Sequence, residues 1–347
     1  MKIANRTIGQ NHSPFIIAEM SGNHNQSLDR ALQIVEAAVS SGAHAIKLQT
    51  FTADTLTLDI SEGAFCIDDE NSPWHGKNLH ALYKQAQTPW KWHKPIMERA
   101  NELGIICFSS PFDETAVDFL EDLHVPAYKI ASFENNHLPL IQKVASTGKP
   151  LIISTGMASE DEIDEAVHAA RSAGCMELVL LKCTSTYPAS PENSNVLTIP
   201  YLRERYECEV GLSDHTMGVG TALAAVAHGA TMIEKHLTIC REDVGVDSTF
   251  SMEPDELHQL VLESERAWQS LGEIYIGPTQ AEKPSLQFRR SLYVSQDMKC
   301  GDLFDAENLR IVRPGCGLAP KHFTDLLGKQ INRDVKKGTP MSWNLVL

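Results

Sequence analysis

Residues 15–50 read FIIAEMSGNHNQSLDRALQIVEAAVSSGAHAIKLQT. The opening run FIIAE (15–19) is short and apolar, as a strand buried on both faces must be. After a polar turn, Ser27 is placed to cap a helix. Leu28, Leu32, Val35 and Val39 give that helix an apolar stripe, and Gly42 supplies the stop. HAIKLQ (44–49) then returns as a second strand. A strand, a helix and a strand in this spacing form a parallel unit, because only a crossover of this length can bring the second strand back in the same direction. The turn EMSGNHN does not match GxGxxG, which argues against a dinucleotide-binding open sheet.

The same formula repeats outward from this unit. Further strands are expected at IICFSS (105–110), AYKIAS (127–132), PLIIST (150–155), ELVLLKCT (177–184), EVGLSD (209–214) and TMIEKH (231–236). Helices are expected at KWHKPIMERANELG, ETAVDFLEDL, LPLIQKVASTG, SEDEIDEAVHAARSAG, MGVGTALAAVAHG and EPDELHQLVLESERAWQSLG. In the fourth of these Ser159 is the cap, Glu162 completes a capping box and Gly174 is the stop. Eight strands with intervening helices make an α/β (β/α)8 TIM barrel the expected fold, with a doubly wound open sheet as its rival. Past Gly272 the chain becomes turn-rich. Residues 1–272 therefore read as the barrel, 273–289 as a linker and 290–347 as a small separate domain. A long insertion after the second strand, roughly 53 to 90, contains ENSPWHGKNLHALY and is expected to serve function.

Composition excludes several classes. A net charge of −15 argues against nucleic acid and anionic membrane surfaces as partners. No apolar leader and no run of eighteen apolar residues occurs, so neither export nor membrane spanning is expected, and the cytoplasm is the expected location. The eight cysteines are scattered without a CxxC pair, which reads as reduced structural thiols.

A barrel assembles its active site from the carboxyl ends of its strands. Here each strand ends in polar groups. They are Glu19; Lys47 with Gln49; Ser109 and Ser110; Lys129 and Ser132; Ser154; Lys182 with Thr184 and Ser185; Ser213 with Asp214 and His215; and Glu234 with His236. A serine in this place can cap the next helix, and a lysine can snorkel. Eight polar termini at one rim point instead to a shared pocket. Lys47 and Lys129, inside apolar strands, must each find an anion or lose their charge. With Ser110, Ser132, Ser154 and Ser213 they form a donor-rich cradle for a small, multiply charged anion, unless internal carboxylates pair them. His215 and His236 on adjacent strands can either share a divalent ion with open positions or act as an acid–base pair. Asp247 in GVDSTF can assist either role.

AEMSGNHNQSLDRALQIVEAAVSSGAHAIKLQT, FSSPFD, YKIASFE, ISTGM, KCTSTYP, GLSDHT, EKHLT and VRPGCGLAP, in order along the chain, resemble the sialic acid synthases. These enzymes condense phosphoenolpyruvate with an N-acetylated sugar aldehyde. The resemblance implies a barrel followed by an antifreeze-like (SAF) domain. It implies Lys129, Ser132 and Ser213 on the phosphate of phosphoenolpyruvate, and Lys47, Ser110 and Ser154 on its carboxylate. Ser185 and Tyr187 of CTSTYP are implied on the substrate side, with Ser185 where relatives often carry asparagine. A divalent ion, Mn2+ or Mg2+, is implied on His215 and His236, with Asp247 beside it, and Glu19 and Glu134 near the reacting sugar. Arg313 is implied to reach the sugar of a second copy in a domain-swapped homodimer. GVDSTFSMEP, SPWHGKNLHALY with TPWKWHKPI, and SGNHNQSL resemble the branch that makes pseudaminic acid, a decoration of bacterial flagella and surface glycans. Its sugar is 2,4-diacetamido-2,4,6-trideoxy-L-altrose. N-acetylneuraminate or legionaminate synthesis is the alternative within the family. A metal-dependent barrel hydrolase and a non-catalytic binding protein are the alternatives outside it.

Overall fold

The computed structural model describes residues 1–70, 72 and 74–347. Eight strands close into a barrel: β1 (Phe15–Glu19), β2 (Ala45–Thr50), β3 (Ile106–Pro111), β4 (Tyr128–Ile130), β5 (Leu151–Ser154), β6 (Leu178–Cys183), β7 (Glu209–Ser213) and β8 (Met232–His236). Each lies parallel to its neighbours, and β8 pairs with β1 in the register Met232 to Phe15 through His236 to Glu19. The fold is therefore the expected TIM barrel and not an open sheet.

The helices return the chain along the outside. Leu28–Ser40 starts where Ser27 accepts from Arg30 N, as expected. Its buried face is Ala31, Ile34, Val35 and Ala38, while Leu28, Leu32 and Val39 are half-buried flanks. Small residues at the centre of the stripe let the helix axis sit close to the strands, and the leucines close the sides. Glu160–Ser172 carries the Ser159/Glu162 capping box. Among the helices that follow the barrel strands, Thr198–Tyr206 after β6 had no expectation attached; its mixed sequence TIPYLRERY has a weak apolar stripe, with Ile199, Leu202 and Tyr206 buried.

The barrel interior is layered. At the amino end of the strands Phe15, Ile17, Ala45, Phe108, Ile152, Val179, Leu181 and Met232 fill it, joined by Ile3 and Ile8 of the N-terminal hairpin. Burial of side chains of this size contributes about 1.5–3 kcal/mol each. That end is a packed plug, so any cavity must lie at the other. The insertion folds as well: Thr52 caps a turn of helix at Ala53–Leu56 and Asn78 caps Leu79–Ala86.

The chain divides into two compact units, Met1–Gly272 and Glu273–Leu347. In the second, strands β9 (Ser291–Val294) and β10 (Leu309–Val312) pair antiparallel. They cover a core of Leu292, Val294, Phe304, Leu309, Leu326, Ile331 and Met341. Segment 273–289 falls in this unit, and its Gln287 O accepts from Gly315 N at 2.9 Å. Among the described residues no helix is long and apolar enough to cross a membrane.

Candidate active site

A cavity of about 350 Å³ opens at the carboxyl end of the barrel. Strand alternation decides what enters it. In β1, β2, β6 and β7 the odd positions face inward and end in Glu19, Lys47, Cys183 and Ser213; in β8 the even positions do, from Met232 to Glu234 and His236. Glu19, Lys47, Lys129, Ser154, Ser213, Glu234 and His236 all line the cavity. The same rule corrects three strand-end expectations. Lys182 points off the cavity and donates to Cys183 O, at 2.8 Å. Asp214 lies on the outer face, 2.9 Å from Lys235 Nζ. Ser109 turns outward to Thr50 Oγ1, 2.6 Å away, which also meets His93 Nε2 at 2.7 Å.

The floor of the cavity is a buried charge cluster. Lys47 Nζ donates to Glu19 Oε1 and to Glu234 Oε1, both at 3.0 Å, and Lys129 Nζ is 3.3 Å from Glu234 Oε1. Ser213 Oγ donates to Glu234 Oε1 at 3.0 Å, and Gln49 Nε2 to Glu19 Oε1 at 2.8 Å. Burial opposes ionisation of Glu19, but Lys47, His236 and Lys129 outweigh it and hold the carboxyl well below the usual range. Burial likewise opposes the charge on Lys47, and Glu19 with Glu234 reverse this, so its pKa is raised. On Lys129 burial prevails and the pKa is lowered. Both lysines thus have internal carboxylate partners as well as cavity exposure. Glu234, absent from the expected ligand set, is the hub. It was legible two residues before His236 on the same face of β8.

Several polar atoms around this floor remain unpaired. Ser154 Oγ, Glu134 Oε2, Glu234 Oε2 and His236 Nδ1 are buried without a hydrogen-bond partner among the described residues, as is Ser110 Oγ off the cavity lining. Each such group costs about 1–3 kcal/mol, so a concentration of them at one rim is the mark of a ligand site. Burial pushes the Glu134 carboxyl up to about 7, with Lys129 and Lys47 pulling only weakly the other way. Ser132 lines the cavity, and its Oγ accepts from Gly156 N at 3.2 Å. Ser110 and Ser185 are not on the cavity lining; Ser185 Oγ lies 3.8 Å from Cys183 Sγ.

Cys183 departs from the expectation of structural thiols. It lines the cavity, with Sγ 3.9 Å from His215 Nδ1. Burial would raise its pKa, but His215, Ser132 and Lys129 bring it down to about 7. All eight cysteines are free thiols, as expected.

The imidazoles of His215 and His236 stand with ring centroids 5.4 Å apart. His215 Nδ1 is 2.9 Å from Thr184 O, so it carries a proton, and only the neutral ring leaves Nε2 with a lone pair. His236 Nε2 is 3.3 Å from Glu19 Oε2, which leaves Nδ1 as the unpaired nitrogen. A metal-binding histidine commonly donates its other N–H to a carbonyl or carboxylate, and both rings satisfy that pattern. Among the described residues no group of three or more His, Cys, Asp or Glu is placed to hold an ion. Two imidazoles, each held through one ring nitrogen, are donors of the type a divalent ion accepts, and any such ion would take the rest of its shell from water and substrate. Asp247 lines the same cavity and accepts from Ser21 Oγ at 2.6 Å and Gly22 N at 3.2 Å. Tyr187 packs over His215, with ring centroids 4.4 Å apart, and Phe250 closes on Tyr187 and His236 at 5.1 Å each. Arg313 belongs to the second unit, where it is exposed.

Fold and site together define a TIM-barrel protein whose rim gathers cations, carboxylates and a pair of imidazoles. The NeuB family model matches residues 34–275 and the SAF domain model residues 289–347, and the chain belongs to the NeuB family. It is 43% identical to a pseudaminic acid synthase of Campylobacter jejuni subsp. jejuni serotype O:2, over 93% of this chain and 94% of that one. It is 39% identical to a pseudaminic acid synthase of Helicobacter pylori, over 95% and 96%. Among solved structures, an N-acetylneuraminic acid synthetase from Leptospira borgpetersenii in complex with citrate superposes with a TM-score of 0.73. That structure is 33% identical and covers 83% of this chain and 95% of its own.

Proposed function

We infer that the protein condenses phosphoenolpyruvate with 2,4-diacetamido-2,4,6-trideoxy-L-altrose and water, giving pseudaminic acid and phosphate. The observation that carries this reading is the buried floor of Lys47, Lys129, Glu19 and Glu234 directly beside the two imidazoles. Identity to two pseudaminic acid synthases over nearly the whole chain supports the choice of sugar.

The residue types follow from the chemistry. Phosphoenolpyruvate is an anion at both ends and a weak carbon nucleophile. Lys129, Ser132 and Ser213 are assigned to its phosphate, and Lys47, Ser110 and Ser154 to its carboxylate. Fixing both ends against the aldehyde can supply up to about 7–11 kcal/mol of the barrier. The enol pair then forms a bond from C3 to the aldehyde carbon, and the aldehyde oxygen takes a proton. Water adds at C2 and gives up a proton; the C2–O bond to phosphate breaks and leaves the ketone.

Glu134, held near neutrality by burial, is the proton donor in this scheme. Glu19 is locked as a carboxylate by Lys47 and His236, and fixes both. Lys47 and Lys129 are already balanced by two carboxylates, so a multiply charged ligand requires further positive charge. His215 and His236 would hold a divalent ion, Mn2+ or Mg2+, which would supply that charge and Lewis-acid polarisation of the aldehyde oxygen. Tyr187 and Asp247 border the sugar, and Ser185 backs the phosphate end behind Ser132. The protein acts in the cytoplasm as a homodimer in which Arg313 of one copy serves the other's barrel, and its product decorates flagellar or surface glycans.

Phosphate release tests the reading directly. Phosphoenolpyruvate and a divalent ion are supplied with the altrose derivative, N-acetylmannosamine or the legionaminate precursor in parallel. Rapid release is expected with the first alone. Release without any sugar would instead mark a hydrolase.

A further inference from the structure

Shortly after β1 the chain makes a turn of four buried residues, Ser21–His24. Ser21 lines the cavity yet holds φ at 46°, in the left-handed region that glycine enters freely and serine only at a cost. What serine has there and glycine lacks is a hydroxyl. That hydroxyl donates to Asp247 Oδ2 at 2.6 Å, and Gly22 N donates to the same oxygen at 3.2 Å. Asn23, fully buried, holds the main chain of the same loop. Its Nδ2 donates to Leu237 O at 2.9 Å and to Ser251 Oγ at 2.8 Å, and Ser251 Oγ donates to Asp247 O at 2.6 Å. Three consecutive residues of the first turn therefore grip the loop after β8.

An unanchored aspartate turns readily about its last torsion, which has no sharp minimum. Gly22 N alone would tether the carboxylate but leave it free to pivot about one bond. The Ser21 hydroxyl supplies the second point and sets the carboxylate plane. Among the described residues no hydrogen bond reaches Oδ1, and it is not one of the buried unpaired atoms, so it is open to the cavity that Asp247 lines. We propose that Ser21 is a positioning residue whose hydroxyl aims Asp247 Oδ1 at a hydroxyl or amide hydrogen of the sugar. This rests on the reading given above, in which Asp247 borders the sugar. A carboxylate already set when the sugar arrives binds it without first having to be ordered.

The test uses the full-length protein with phosphoenolpyruvate, a divalent ion and 2,4-diacetamido-2,4,6-trideoxy-L-altrose, and follows phosphate release. Ser21→Gly removes the hydroxyl at a φ that glycine tolerates, so this variant should fold, as urea unfolding would show; Ser21→Ala is carried in parallel. Both should raise KM for the sugar by about ten- to a hundredfold, the upper end being the scale of a misplacement of about 1 Å. KM for phosphoenolpyruvate should stay unchanged, and kcat should fall by less than the sugar KM rises. A merely structural role would move neither KM in a folded variant. In an Asp247→Ala background, Ser21→Gly should lower kcat/KM by no more than about twofold, because the group it acts through is gone. An unchanged sugar KM in the folded Ser21 variants, or the full loss persisting without Asp247, would overturn the inference alone. Turnover of N-acetylmannosamine rather than the altrose derivative by the wild type would overturn the substrate reading alone, and the same cycle run with that sugar then decides the inference.

Discussion

Two carboxylates lining one cavity are pushed in opposite directions, and their partners explain why. Glu19 has Lys47 at 3.0 Å and a hydrogen bond from Gln49 at 2.8 Å, so it stays ionised. Glu134 has an unpaired Oε2 and a pKa raised to about 7 by burial. Groups pushed apart in this way divide acid and base work. A raised carboxyl is protonated below its pKa and loses that proton as pH rises through it. If Glu134 donates, kcat is full below about pH 7 and falls above it. Glu134→Gln should lower kcat by about 10²–10⁴-fold, the usual range for one general acid. It should also abolish the falling limb while leaving KM for phosphoenolpyruvate nearly unchanged, as steady-state profiles across pH would show. The sequence placed both glutamates near the reaction but could not rank them, because their pKa values depend on neighbours from other strands.

At the scale of elements, alternation along each strand separates site from scaffold. Asp214 and Lys235 stood beside site residues in the sequence, yet both belong to the outer face. Lys235 Nζ joins Asp214 Oδ2 at 2.9 Å and Gly218 O at 3.1 Å, and also binds Thr216 O. These bonds bracket His215 and hold its loop. Removing one member of a buried pair costs about 3–5 kcal/mol, so Lys235→Met should lose that much in urea unfolding. Adding Asp214→Asn should restore part of it. The turn after β5 sets another limit. A methyl group on Gly156 would stand 2.6 Å from Ser132 Oγ and closer still to Ser185 Oγ. Gly156→Ala must push Ser132 away from the assigned phosphate site. Losing one charge-assisted hydrogen bond, about 1.5–3 kcal/mol, predicts a KM for phosphoenolpyruvate raised about ten- to a hundredfold. The helix after β6 escaped the sequence reading because a weak apolar stripe leaves no clear period, and only packing of Ile199 and Leu202 fixes it.

At the scale of the molecule, the chain makes two units, each with a core of its own. The family resemblance assigns Arg313 of the second unit to the barrel of another copy. Two defective proteins test this. Arg313→Ala should raise KM for the sugar at least tenfold, and His236→Ala should remove activity. Mixed and allowed to exchange subunits, they should recover measurable turnover, because one barrel in each hybrid then has both parts. Failure to recover activity in confirmed hybrids would place Arg313 in its own barrel or outside the reaction.

By itself the sequence determined the barrel, since strand length, helix caps and alternating apolar runs are local properties that each segment states alone. It also marked the rim, because lysines and histidines gathered at the ends of apolar strands need partners there, although Lys235 finds its partner in Asp214 on the outer face. Tertiary structure alone decided which polar residues face one another. Glu234 as the shared partner of Lys47 and Lys129, Cys183 beside His215, and the Trp74 tether to Val246 join positions far apart in the chain. Such pairings depend on closure of the barrel and the fold of its insertion, and electrostatics at a few ångströms cannot be read from residues dozens of positions apart.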